Sequence, residues 1–280
     1  MRQREALDAS VARQASFEAN PENRIVVDAA LSDPHPAVRD TAASLRERIP
    51  DDKGMVSPTT AGTLAVRCAP ATIDRAMRIM NALIRAGERR GWTLLKSNEP
   101  KSVTRFQIGT EVVGLSLEEK QKKIRHIATA EEIAAKRSDR RLLIPLHDRV
   151  PAGRLVLEIA DGGAGARQRS WADSSVQRLE TVLNDVALEI FAAAEYGRIE
   201  RLERERSRER GMQWLRLRQD RERRIEKLDR DVDAWEKALR IRDFLDAFEE
   251  AKKLKGETDD TTRDWIAWAR GYADEIDPLR

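Results

Sequence analysis

The chain has 280 residues, with 52 basic and 49 acidic side chains and a net charge of +3. At 40 % hydrophobic and 36 % charged residues, it is too polar for a membrane protein and apolar enough for one packed core with extended helices. The single cysteine, Cys68, excludes an internal disulfide and a multi-cysteine zinc site, and His35, His126 and His147 lack metal-ligand spacing.

No apolar run reaches about 18 residues, and the N-terminal MRQREALDAS holds no apolar signal core. The expectation is a cytoplasmic protein with no membrane partner. No residues assemble a recognisable catalytic site, so the chain reads as non-enzymatic, without cofactor or metal.

Residues 1–55 read as a helical, polar N-terminal segment. One short helix is expected over 4–19 and a second over 37–48, started by the turn Asp33-Pro34-His35-Pro36 and stopped by Pro50. Residues 56–170 carry a mixed signal and predict an α+β core domain. TLAVRC (63–68) is a strand candidate. Ile73, Met77, Met80, Ile84 and Gly87 then define one helix face within 70–90, ended by Gly91.

Strands are expected at 92–96, 103–108 and 111–117, joined by a hairpin loop at NEPKS and a tight turn at Gly109-Thr110. The charged stretch 118–136 reads as partly helical. Two further strands, 142–146 and 154–159, are expected either side of DRVPAG. The alternation in RLVLEI predicts a small mixed or antiparallel sheet with one buried face, covered by helix 70–90. DGGAGA (161–166) lacks both the Gly-Lys-Ser/Thr ending of a phosphate loop and the spaced dinucleotide fingerprint, so it reads as a linker.

Residues 171–255 predict a long charged, coiled-coil-like helix or a helical hairpin. Ser174 or Ser175 is the expected N-cap, followed by an apolar stripe at Val176, Leu179, Val182, Leu183, Val186 and Ile190. Between 198 and 230 there are 13 basic and 8 acidic residues, with pairs such as Glu200/Arg204 at helical spacing. Such a stretch buries little. Ile225, Leu228, Val232, Trp235 and Leu239 follow steps of 3, 4, 3 and 4, a heptad seam that Phe244 and Phe248 extend. An unbroken helix over 174–255 would run roughly 120 Å, and Gly211 is its one weak point. Either the chain folds back there, or it stays extended and pairs with another copy. Residues 256–280 form a docking helix capped by Asp259-Asp260, with Trp265 and Trp268 on one face.

Collinear segments, FEANPENRIVV (17–27), DPHPAVRDTA (33–42), RCAPATIDRAMRIMNALIRAGERRGW (67–92), VPAGRLVLEI (150–159), WADSSVQRLETVLNDVALEI (171–190) and WIAWARGYADEIDPL (265–279), resemble a set of uncharacterised bacterial plasmid and genomic-island proteins. Many of those relatives carry an N-terminal helix-turn-helix, which the resemblance connects with DNA binding. Residues 1–16 here are too short to hold that module.

Two functions are expected. The first is a non-catalytic accessory or regulatory protein of a bacterial mobile element, with duplex DNA as partner. Its contacts would be Arg198, Arg201, Arg204, Arg208, Arg216, Arg218, Arg221, Arg223 and Arg224, although the interleaved glutamates equally describe a solvated helix surface. The second is a scaffold that forms a homodimer through the 225–248 seam without binding nucleic acid. His147 beside Asp148, near Arg149 and Arg154, is the one sequence cluster with acid–base potential, and a loop pair at a strand end is the plainer reading. Cys68 lies just before a helix N-terminus, where a dipole would lower its pKa. A buried apolar role is the commoner one.

Overall fold

Ile73, Met77, Met80, Ile84 and Gly87 recur at helical spacing and form α3 (Ile73–Arg89), which a 3-10 turn at Pro70–Thr72 introduces. Gly91 follows the helix end with φ 77°, a left-handed conformation that favours glycine. The computed structural model describes residues 2–96, 103–138, 143–162, 164–256 and 259–280. The chain divides into two units, Met1–Glu203 and Arg204–Arg280. In the first, α3 is the central helix. Ala76, Ile79, Leu83 and Ala86 are buried as well as the expected stripe, because α2 (Pro36–Arg46) packs on the side away from the sheet. His35 caps α2, its Nδ1 accepting from the Ala37 amide at 3.2 Å. The polar N-terminal segment therefore belongs to the same core, to which it adds Ile25, Val38, Ala42 and Leu45.

The sheet has six strands: β1 (Val66–Arg67), β2 (Thr93–Leu95), β3 (Thr104–Ile108), β4 (Glu111–Arg125), β5 (His147–Asp161) and β6 (Ser170–Ala172). They run β2-β3-β4-β5-β6 with every neighbour antiparallel, and β1 pairs parallel with β4. Gly109, at φ 59°, makes the two-residue turn between β3 and β4. One face carries Phe106, Val113, Leu115, Leu117, Leu155, Leu157, Ile159 and Trp171 into the core. The fold is α+β, a helix-covered sheet followed by a long charged helix, as the sequence pattern implies.

The strands are longer than their apolar cores. Residues 118–125, read as charged and partly helical, continue β4, because β5 supplies their backbone partners from Leu155 to His147. Helix begins only at α4 (Ala130–Ser138). DRVPAG is strand, with a bulge where Lys120 faces Ala152, Gly153 and Arg154. Buried Glu119 holds that bulge. Its carboxylate accepts from the Gly153 amide at 2.7 Å, the Ala69 amide at 2.8 Å and the Thr72 hydroxyl, tying β5 to the start of α3. No strand forms over 143–146. Leu142 and the NEPKS loop lie outside the described residues.

Ser174 does not cap a long helix. Its hydroxyl accepts from the amides of Val176 and Gln177 in a turn, and Val176 is exposed. The long helix, α5, starts at Leu183 and runs unbroken through Gly211 to Lys255, 73 residues. Its first turns bury Leu183, Val186, Ala187, Ile190 and Ala193 in the first unit.

In the second unit the reversal comes at Gly256, φ 71°, not at Gly211. Asp259 then caps α6 (Asp260–Ile276), accepting from the Thr262 amide at 2.9 Å. The helix returns along α5: Arg242 pairs with Asp274 and Asp277, Arg270 with Asp246 and Glu249, and Phe248 meets Trp265 edge-on at 5.3 Å. Ile266, Ala269 and Ala273 are the buried face of α6. Trp265 and Trp268 remain exposed at 43 % and 65 %.

The first unit has a second polar staple. Arg75 of α3 makes paired hydrogen bonds to Asp173 and to Glu180, and the buried Asp173 also accepts from the Leu155 and Leu179 amides. Burial opposes ionisation of Asp173, but Arg75 and these amides hold its pKa below the ordinary carboxylate value. Stability from this group is therefore present above that ordinary value and is lost as pH falls through the lowered one. Asp173→Ala should destabilise the chain by about 3 kcal/mol or more, because it strands a partly buried guanidinium and two buried amides. Urea unfolding at pH 7 measures this, and the difference between variant and wild type should shrink in acid.

Candidate functional site

Every residue from 203 to 230 of α5 is exposed. The helix is polar nearly all round, with ion pairs at helical spacing such as Arg218–Glu222 and Arg224–Asp220, both at 2.8 Å. The heptad seam then begins. Ile225, Leu228, Val232, Trp235 and Leu239 are between 38 % and 62 % exposed.

The neighbouring line, Ala234, Ala238, Ile241, Leu245 and Phe248, is the one that turns inward beneath α6. Its steps of 4, 3, 4 and 3 are as regular as those of the seam. The sequence reading passed over it because alanines carry a weaker hydrophobic signal than Trp235 and Leu228. Phe248 therefore belongs to the α5–α6 contact, and exposed Phe244 stacks on it at 5.8 Å. The other seam residues stay exposed beside that contact. Upstream, Trp214 and Leu217 extend the apolar surface, with Arg218 over the Trp214 ring at 5.6 Å.

The nine arginines do not form one surface. Arg198 pairs with Glu195, Arg201 with Glu111, Arg218 with Glu222 and Arg224 with Asp220. Arg204 also has a partner. Arg208, Arg216, Arg221 and Arg223 are exposed, with no side-chain partner among the described residues. At about 100° per residue they point in different directions, Arg221 facing away from Arg216 and Arg223.

The acid–base cluster is not the one adjacency implies. Asp148 lies within β5 and binds His126, not His147. The His126 ring holds Asp148 through Nδ1 at 2.8 Å and Glu132 through Nε2 at 2.9 Å. Glu132 also accepts from the Thr129 amide while the Thr129 hydroxyl accepts from Glu132's own amide, a reciprocal cap that starts α4. The arrangement ties β5 to α4 as a latch. Sequence reasoning missed it because its partners come from three elements. The TxxE spacing at Thr129–Glu132 was the one readable signal.

Cys68 is fully buried, and burial pushes its thiol up to about 11, which opposes the dipole reading and leaves it a core residue. Gly162 and Gly165 sit where chains approach closely; a Cβ would lie 2.5 Å from the Val112 carbonyl oxygen at the first and 2.1 Å from Tyr196 at the second. Packing accounts for those two glycines. Among the described residues, no group of three acidic, histidine or cysteine side chains is placed to hold a metal ion, and no helix is long and apolar enough to cross a membrane.

Hydrogen bonds donated to Glu132 and then Asp148 raise the His126 pKa above the ordinary imidazole value. The latch contributes fully below that ordinary value and is lost as pH rises through the raised one. An NMR titration of His126 should give a midpoint above the free-histidine value, and amide protection in α4 should fall across the same range. His126→Ala should remove that pH dependence.

Comparison of the chain with protein-family models, with curated proteins and with solved structures returned no match.

Proposed function

We propose that this protein is a non-catalytic, cytoplasmic scaffold that self-associates through the seam on α5. The carrying observation is that Ile225, Leu228, Val232, Trp235 and Leu239 form a regular heptad line that α6 leaves open while covering the line beside it. A row of large apolar side chains at this spacing is the side-chain pattern of helix pairing.

Charge favours a parallel second copy. Flanking the seam on one side are Glu222, Asp229, Glu236 and Asp243, all acidic. An antiparallel pair sets these two acidic rows against each other. A parallel pair separates those rows and sets Arg224 against Asp229 of the second copy, an attraction that Asp231 facing Glu236 offsets. The alternative reading, a DNA-associated accessory protein of a mobile element, draws less support from α5, whose arginines are divided between ion pairs and different faces of the helix.

Sedimentation equilibrium at micromolar concentration should give a dimer. Leu228→Asp combined with Trp235→Asp should give a folded monomer, since both side chains lie outside the α5–α6 contact and the core. A wild-type monomer at these concentrations overturns the reading.

A further inference from the structure

Beyond Glu119 and Leu155, β4 and β5 leave the sheet together. β3 pairs with β4 only as far as Leu115, β1 pairs at Leu117 and Glu118, and β6 pairs with Val156–Glu158. Among the described residues, those past the bulge, Gln121–Arg125 and His147–Pro151, pair only with each other. They form a two-stranded ribbon, rooted by Glu119 and closed at its far end by His126.

This ribbon carries Lys122, Lys123, Arg125 and Arg149, with Lys120 and Arg154 at its base, and all six are exposed. Past the bulge its one acid is Asp148, which His126 holds, and Glu118 and Glu119 lie at the base beside Lys120. Lys123 lies directly opposite Arg149, and Arg125 directly opposite His147. Like charges facing across strands are destabilising. None of the six cations has an ion pair or side-chain hydrogen bond among the described residues. At Arg75, Arg90, Arg242 and Arg270 the chain sets basic groups beside acids. The ribbon thus concentrates positive charge that no ion pair among the described residues neutralises. A polyanion would offset it.

We propose that this ribbon is a contact element for double-stranded DNA, its cations neutralising backbone phosphates. Two strands about 4.8 Å apart fit a major groove about 12 Å wide, which places cations of both strands near the phosphates lining it. The inference uses none of the seam residues and none of the nine arginines of α5.

Fluorescence anisotropy of the full chain with a labelled mixed-sequence duplex tests it. If four cations each neutralise a phosphate, affinity should fall about 150-fold between 50 and 200 mM KCl. Replacing Lys122, Lys123, Arg125 and Arg149 together with glutamine should weaken binding at low salt by at least about tenfold and reduce the log–log salt slope by about 3 to 4. Circular dichroism checks that this variant stays folded. Arg216→Gln with Arg221→Gln and Arg223→Gln should leave both quantities within about twofold of wild type. Absence of a complex at 50 mM KCl overturns the proposal. So does unchanged binding by the ribbon variant, loss of binding by the α5 variant alone, or retention of the chain by phosphatidylserine vesicles but not by DNA.

Discussion

An α-helix closes its own backbone hydrogen bonds, and α5 depends on that property along its length. Because the helix needs no neighbour for its amides, one continuous element takes part in a buried core at Leu183–Ala194 and then runs bare over 203–230. What it does not close is its side-chain surface. Exposed ion pairs at helical spacing contribute only a few tenths of a kcal/mol each. Helical stability in proteins comes mostly from packing, and over 225–239 the seam side chains are only partly packed.

The first unit solves the opposite problem. Its apolar surface is enclosed, and buried carboxylates fix how the pieces meet. Asp173 binds Arg75 and two amides, and Glu119 joins α3 to the β5 bulge. Glu18 of α1 (Arg2–Ala19) pairs with Arg90 and accepts from Asn184 at 2.7 Å, joining three segments far apart in sequence. Each buried charge meets hydrogen-bond donors on several sides, as burial of a carboxylate requires. These contacts give directional register to a core that hydrophobic burial alone would hold only loosely in position.

Periodic features were legible in the sequence. The α3 stripe, the Gly109 turn, the RLVLEI alternation and the long charged helix are all short-range patterns. Contacts between distant residues were not. No local pattern connects His126 with Asp148, or Glu119 with Gly153. The strand character of 118–125 was hidden for a related reason, since its lysines follow no apolar alternation and only pairing with β5 makes the segment a strand. Beside the seam the large residues were legible, while Ala238, which is fully buried, was not, because hydropathy underrates small side chains.

The most direct test of the seam is a cross-link between copies. Cys68 is buried, so Leu228→Cys introduces the one exposed thiol. In a parallel, in-register pair, two such residues face each other within disulfide reach, roughly 4.4–6.8 Å between Cα atoms. Mild oxidation is expected to convert this variant to a covalent dimer, while Arg223→Cys, on the far side of the helix, stays monomeric on a denaturing gel. Equal cross-linking at both positions, or none at 228, would contradict pairing through this line.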